Sequence, residues 1–173
     1  FNGIRTFTDN IIGPYGLIMN VKNGHLTTTH TADKDFSYIN AYSVNVGDGS
    51  DSGIDSRYTV QNILMANNGY GSINVMKDGK LELVQYDDNN KGTILIAFSN
   101  EDGELDSGII NNNGIVDFSK GELALKPDAG YYDNTTKIQI LDDNSNMSTA
   151  VGKKFGGIWF VNMNGKEAEK DNG

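Results

Sequence analysis

The sequence predicts an all-β fold: an antiparallel sandwich or barrel of roughly ten short strands, with room for a short helix at the N-terminus. Three observations carry this. Apolar side chains recur at every second residue in run after run, the runs follow one another at intervals of about 8–14 residues, and Gly, Asn and Asp punctuate them. Helical periodicity is confined to the first residues, where Phe1, Ile4, Phe7, Ile11 and Ile12 fall at three- and four-residue spacings until Gly13-Pro14 stops the pattern. Ile11 and Ile12 also suit the start of a strand.

From Tyr15 onward the period is two. Phe36, Tyr38, Tyr42, Val44 and Val46 alternate with small and polar residues, the pattern of a half-buried strand, with Asn40 a polar exception on the apolar side. Further runs cover residues 16–21, 58–66, 72–76, 80–86, 93–98, 115–118, 122–126, 135–141 and 157–163, each bounded by turn residues. At Lys77-Asp78-Gly79 the chemistry predicts a three-residue hairpin loop with Gly79 left-handed. That register pairs Val75 with Leu81 and Ile73 with Leu83, and leaves Asn74 opposite Glu82 on the wet side. A theme of Gly followed two residues later by Leu recurs at Gly24, Gly79, Gly103 and Gly121. Its unequal spacing reads as hairpin chemistry reused, not as a solenoid repeat.

The length of 173 residues suits one domain, which buries roughly two-thirds of its unfolded surface. Residues 1–14 form an amphipathic lead-in, 15–164 the β domain and 165–173 a polar tail. The start at Phe1 instead of Met suggests a processed or excised fragment. With no cysteine, disulfides, thiolate metal sites and thiol nucleophiles are excluded. A formal charge of −9 argues against nucleic acid and anionic membrane as partners, and no apolar run approaches the ~20 residues of a membrane helix.

Catalytic signatures are missing. His25 and His30 are the only histidines and, five apart, point to opposite faces of a strand. The segment 49–53 centres on Asp51 instead of a serine nucleophile. Among 23 acidic residues some pair inevitably sits at a glycosidase-like separation, so the expectation is a protein that is not an enzyme. No resident cofactor is expected; calcium is the ligand to consider, since hard cations want several oxygens converging from a tight loop. Asp48, Asp51 and Asp55 offer them in one loop, and Asp142, Asp143 and Asn144 in another. Aromatic residues supply candidate contact surfaces: Tyr131 and Tyr132 beyond a Pro127-Asp128-Ala129-Gly130 turn, and Trp159 in an apolar run. Asn134 and Asn146 open Asn-x-Ser/Thr triplets.

What remains is a scaffold or binding profile. The expectation is an extracellular, cell-surface or virion-surface structural or adhesive subunit of the pilus, fimbrial, surface-layer or fibre type. It would act through contacts with copies of itself or related subunits, and with a host glycan or surface protein through its loops. The alternatives are a calcium-assisted carbohydrate-binding module and, below it, a β-rich glycan hydrolase domain.

Overall fold

The computed structural model describes residues 3–7, 11–12, 18–28, 38–41, 43–51, 53–60, 62–65, 70–85, 92–101, 103–133, 135–144 and 156–160. Among them every regular element is a strand. The first circuit of the chain contains β1 (Gly3–Phe7), β2 (Ile11–Ile12) and β3 (Ile18–Val21); the second, β4 (Gly24–Thr28), β5 (Tyr38–Ala41) and β6 (Ser43–Val46); the third, β7 (Ser56–Val60), β8 (Asn62–Met65) and β9 (Ser72–Val75). The fourth contains β10 (Gly79–Leu83), the long β11 (Gly92–Glu101), its hairpin partner β12 (Glu104–Ser107) and β13 (Ile109–Asn112). A fifth has β14 (Ile115–Asp117), β15 (Gly121–Gly130) and β16 (Leu141–Asp143), and β17 (Gly157–Phe160) belongs to a sixth.

Strands from successive circuits lie side by side. The first sheet runs β1-β4-β7-β10-β14, the second β2-β5-β8-β11-β15-β17 with β12 attached to β11, and the third β3-β6-β9-β13-β16. Apart from the β11–β12 hairpin, every pairing is parallel. The chain therefore winds as a three-sided parallel β-helix, and the antiparallel sandwich or barrel expected from the sequence is wrong. So is the N-terminal helix, because β1 pairs residue for residue with β4, from Gly3 opposite Gly24 to Phe7 opposite Thr28.

The physical reason for the error is that alternation and turn chemistry are common to both architectures. What separates them is the partner of each strand, which here lies a full circuit away. The column Ile4, His25, Arg57, Lys80 and Ile115 shows the circuits to be 21, 32, 23 and 35 residues long. The 32-residue circuit contains the long 47–55 loop between β6 and β7, and the 35-residue circuit contains the β11–β12 hairpin. Two of the expected strands also proved to be pairs, since the runs 36–46 and 58–66 each pass from one sheet to the next, and only Leu141 of the run 135–141 is in a strand.

The Asp78-Gly79 turn is a corner and not a hairpin: β9 belongs to the third sheet and β10 to the first. Gly79 does not adopt a positive φ. Glycine is needed there for another reason, as a Cβ would collide with the Val46 carbonyl of the circuit above.

Inside, the parallel register stacks like on like. Leu26, Tyr58, Leu81 and Val116 form one column, Met19, Val44, Ile73 and Ile110 a second, and Ile94 lies on Leu123, all buried. Fully burying each of the larger aliphatic groups contributes roughly 1.5–3 kcal/mol. Tyr58 is accommodated because its hydroxyl meets the Thr28 hydroxyl one circuit away at 2.9 Å. Burial pushes its phenol far above the ordinary range.

On the outside of the third sheet, Asn20, Asn45, Asn74 and Asn111 share a column that continues to Asp142. The carboxamide of Asn45 donates to Asn20 Oδ1 at 3.0 Å, that of Asn74 to Asn45 at 2.7 Å and that of Asn111 to Asn74 at 2.8 Å. Asn74 thus sits in an amide ladder and not opposite Glu82. Asn74→Ala removes a donor and an acceptor from the middle of this ladder and should lower stability by about 1–2 kcal/mol, with Asn20→Ala at its end costing less than half as much in urea denaturation.

Candidate functional site

The residues expected to gather around calcium are placed near one another in sequence but not on one centre. Asp48 is exposed and accepts the Ser50 N–H at 3.0 Å. Asp51 pairs with Lys77 at 2.7 Å, and Asp55 accepts the Ser56 hydroxyl at 2.9 Å. In the second acidic loop Asn112 donates to Asp143 at 2.9 Å and Asn144 to Asp142 at 3.1 Å. Among the described residues no three His, Cys, Asp or Glu side chains converge as a metal site requires.

The first loop is instead organised by Asp78, which the sequence reading treated only as a turn residue. Its side chain is fully buried at the corner between β9 and β10. One carboxylate oxygen accepts the N–H groups of Asp48 at 3.1 Å and Gly49 at 2.6 Å, while the other lies 3.0 Å from the Asp48 nitrogen and 3.3 Å from the Ser56 hydroxyl. Left-handed Gly47 and Gly49 turn those N–H groups inward. The backbone carbonyl of Asp78 accepts from Asp55 and Ser56, both at 3.2 Å. One residue therefore ties both ends of the 47–56 loop. Burial alone pushes the Asp78 carboxyl up, but the N–H groups of Asp48 and Gly49 outweigh it and hold the carboxyl below the usual carboxylate range.

The aromatic candidates separate in role. β11 and β15 run side by side past the core, with a register shift between Phe98 and Asn100. Beyond them Tyr132 folds back, its ring edge-on to Phe98 at 5.4 Å and 86°. Its hydroxyl lies 3.1 Å from the carbonyl oxygens of Phe98 and Asp128. Burial, reinforced by the Asp128 charge, raises its phenol. Tyr131 points away and is 76% exposed, although its backbone is fixed at both ends: its N–H donates to the Asn100 carbonyl at 3.2 Å and its carbonyl accepts the Asn100 carboxamide. Beside Tyr132, Asp128 joins the Tyr70 hydroxyl at 3.0 Å to Lys126 at 3.1 Å. Burial and the Asp128 carboxylate push the Tyr70 phenol up to about 12. Trp159 stands in β17 opposite Ala124.

No family model, curated protein or solved structure matches this chain.

The chemistry must therefore be read from the side chains themselves. Tyr131 is an aromatic face held on a rigid backbone, suited to stacking on a sugar ring or an apolar partner, since little conformational freedom is lost on contact. His25 is bonded through Nε2 to the Thr59 hydroxyl at 2.9 Å. His30, Asn134, Asn146 and the tail 165–173 lie outside the described residues. Asp78, Asn100 and Tyr70 are the organising residues the sequence reading passed over. Only Asp78 had a usable signal: it stands just before Gly79, as Asn23 stands before Gly24, where a strand of the first sheet opens.

Two consequences are testable. The folded-state carboxyl of Asp78 titrates below its unfolded value of about 3.9, so its stabilisation is complete above that pH and is lost as pH falls through the folded-state value. Asp78→Asn should cost about 2–3 kcal/mol from neutrality down to about pH 5, and the gap from wild type should close below about pH 4 in urea titrations. Tyr132→Ala should destabilise by about 3 kcal/mol, whereas Tyr131→Ala should stay within about 0.5 kcal/mol of wild type in the same assay.

Proposed function

We propose that the chain is a rigid structural or adhesive subunit of an extracellular, cell or virion surface, of the pilus, fimbrial, surface-layer or fibre kind. The observation that carries this reading is the last of the described strands, β17. By register Ile158 continues the inward column of Ile94 and Leu123, and Phe160 that of Ile96 and Leu125, yet they are 61% and 50% exposed. Among the described strands β17 is the edge of its sheet, and a second copy that pairs with it extends the sheets head to tail. Such a heterologous contact propagates into a fibre unless the rotation closes it. The occupant proposed for this end is a copy of the same chain, and Tyr131 on the side of the shaft supplies contact with a host glycan or surface protein.

The alternatives have less behind them. A calcium-assisted sugar site would draw on Asp48, Asp51 and Asp55, each of which is engaged elsewhere. Glycan hydrolysis calls for an acid held above its ordinary pKa. Here Asp117 is lowered by the Ser119 hydroxyl, Asp133 by the Thr135 hydroxyl, and Asp78 by its N–H donors against the effect of burial.

Sedimentation of the full chain over a wide concentration range tests the proposal. Oligomers should grow with concentration, and Phe160→Asp should abolish them while shifting the melting transition little. A strict monomer at every concentration, or assembly indifferent to Phe160→Asp, overturns it.

A further inference from the structure

Six large apolar side chains are exposed among the described residues, and four of them stand on strands at the edges of their sheets: Ile4 in β1, Ile18 in β3, and Ile158 and Phe160 in β17. Apolar surface is therefore open in the first circuit and again in β17. The second sheet relates the two places. Its order makes β2 one edge among the described strands and β17 the other. One column of register crosses the whole sheet, through Ile11, Ile39, Ile63, Ile94, Leu123 and Ile158. It is aliphatic at every position and carries isoleucine at both edges. Ile94 and Leu123 in its interior are buried, whereas Ile158 is exposed. The adjoining column begins at Ile12 and ends at Trp159.

We infer that, given the end-to-end assembly proposed for this chain, the occupant of the β17 edge is the β2 edge of a second copy, whose Ile11 is set beside Ile158 in parallel register. Such a contact extends the aliphatic column and gives Ile158 the second neighbour that Ile94 and Leu123 already have. It also keeps the parallel sense of all the other pairings in this sheet between one circuit and the next. A two-fold contact between two β17 strands with their cores on the same side is antiparallel, leaves both β2 edges unused and stops at a dimer. A formal charge of −9 on each copy opposes their approach, so burial of apolar surface has to drive it.

Two experiments on the full chain test this. Ile11→Asp and Phe160→Asp each spoil one edge. Either variant alone should stay monomeric where the wild type oligomerises. An equimolar mixture should form dimers and nothing larger, because the β17 edge of one variant still meets the β2 edge of the other. The chain has no cysteine, so Ile12→Cys and Trp159→Cys introduce the only thiols. These positions share a column at opposite edges of the sheet, roughly 24 Å apart at about 4.8 Å per strand, too far for a disulfide within one chain. Mild oxidation of the double variant should give a ladder of linked multimers, and neither single variant should. If Ile11→Asp does not fold, the ladder decides alone. With the wild type oligomerising, a monomeric mixture of two folded variants, no ladder, or Trp159→Cys linking to itself as readily as the double variant overturns this inference and leaves assembly standing. A wild type monomeric at every concentration overturns both.

Discussion

Parallel, in-register hydrogen bonding between one circuit and the next is the constraint on which the rest of this structure depends. It places each residue directly over its counterpart a circuit away, at about the 4.8 Å strand spacing, so a side chain is chosen chiefly by what stands above and below it. Aliphatic residues accumulate in the inward columns because each then buries two neighbours as well as itself. On the outside the same spacing suits a carboxamide, whose donor reaches the acceptor of the next; Asn20, Asn45, Asn74 and Asn111 use it. Asn112 marks where the rule bends. It follows Val21, Val46 and Val75 in an inward column, and is tolerated because Asp143 and the Gly114 N–H satisfy its amide.

Corners are where the constraint relaxes, and together with the β11–β12 hairpin they absorb variation in circuit length. The cost is that a long corner loop must be fastened to the shaft. Asp78 does this for the 47–56 loop with an anion instead of an apolar plug. A buried carboxylate survives because four hydrogen-bond contacts from N–H and O–H groups replace its water. The neighbouring Gly79 follows from the same geometry: with the loop drawn in, the Val46 carbonyl passes too close for any Cβ.

Strand content was legible in the sequence as alternation, and the arrangement of the strands was legible in a different pattern. Alternation located most of the strands. The Gly-x-Leu theme mixed positions that are not equivalent: Gly24 and Gly79 open strands of the first sheet, Gly121 opens one of the second, and Gly103 belongs to the β11–β12 hairpin. The informative repeat was Ile18-Met19-Asn20-Val21, Ser43-Val44-Asn45-Val46, Ser72-Ile73-Asn74-Val75 and Ile109-Ile110-Asn111-Asn112, each followed shortly by glycine. A polar residue at the outward position of every such run has no particular value in a sandwich, where facing strands differ, and great value in a stack of equivalents. For the candidate sites the limit was of another kind. The two adjacent tyrosines were visible as an exposed pair, but which of them turns inward depends on Phe98 and Asn100 on a strand some thirty residues earlier, and no local rule supplies that.

Stacking also changes what composition means. Net charge describes the far field of a protein, whereas a solenoid assembles its near field by adding one residue from every circuit to a column. Residues separated by 32 and 23 positions become neighbours, as His25, Arg57 and Lys80 do, and acids remote in sequence gather the same way, Glu82 and Asp117 standing side by side next to Lys80. The inward positions on either side of Arg57, Ser56 and Tyr58, are fixed by burial, but the outward one is free to be any solvated residue. The amide column of the third sheet shows what the fold uses when self-stabilisation is the only demand.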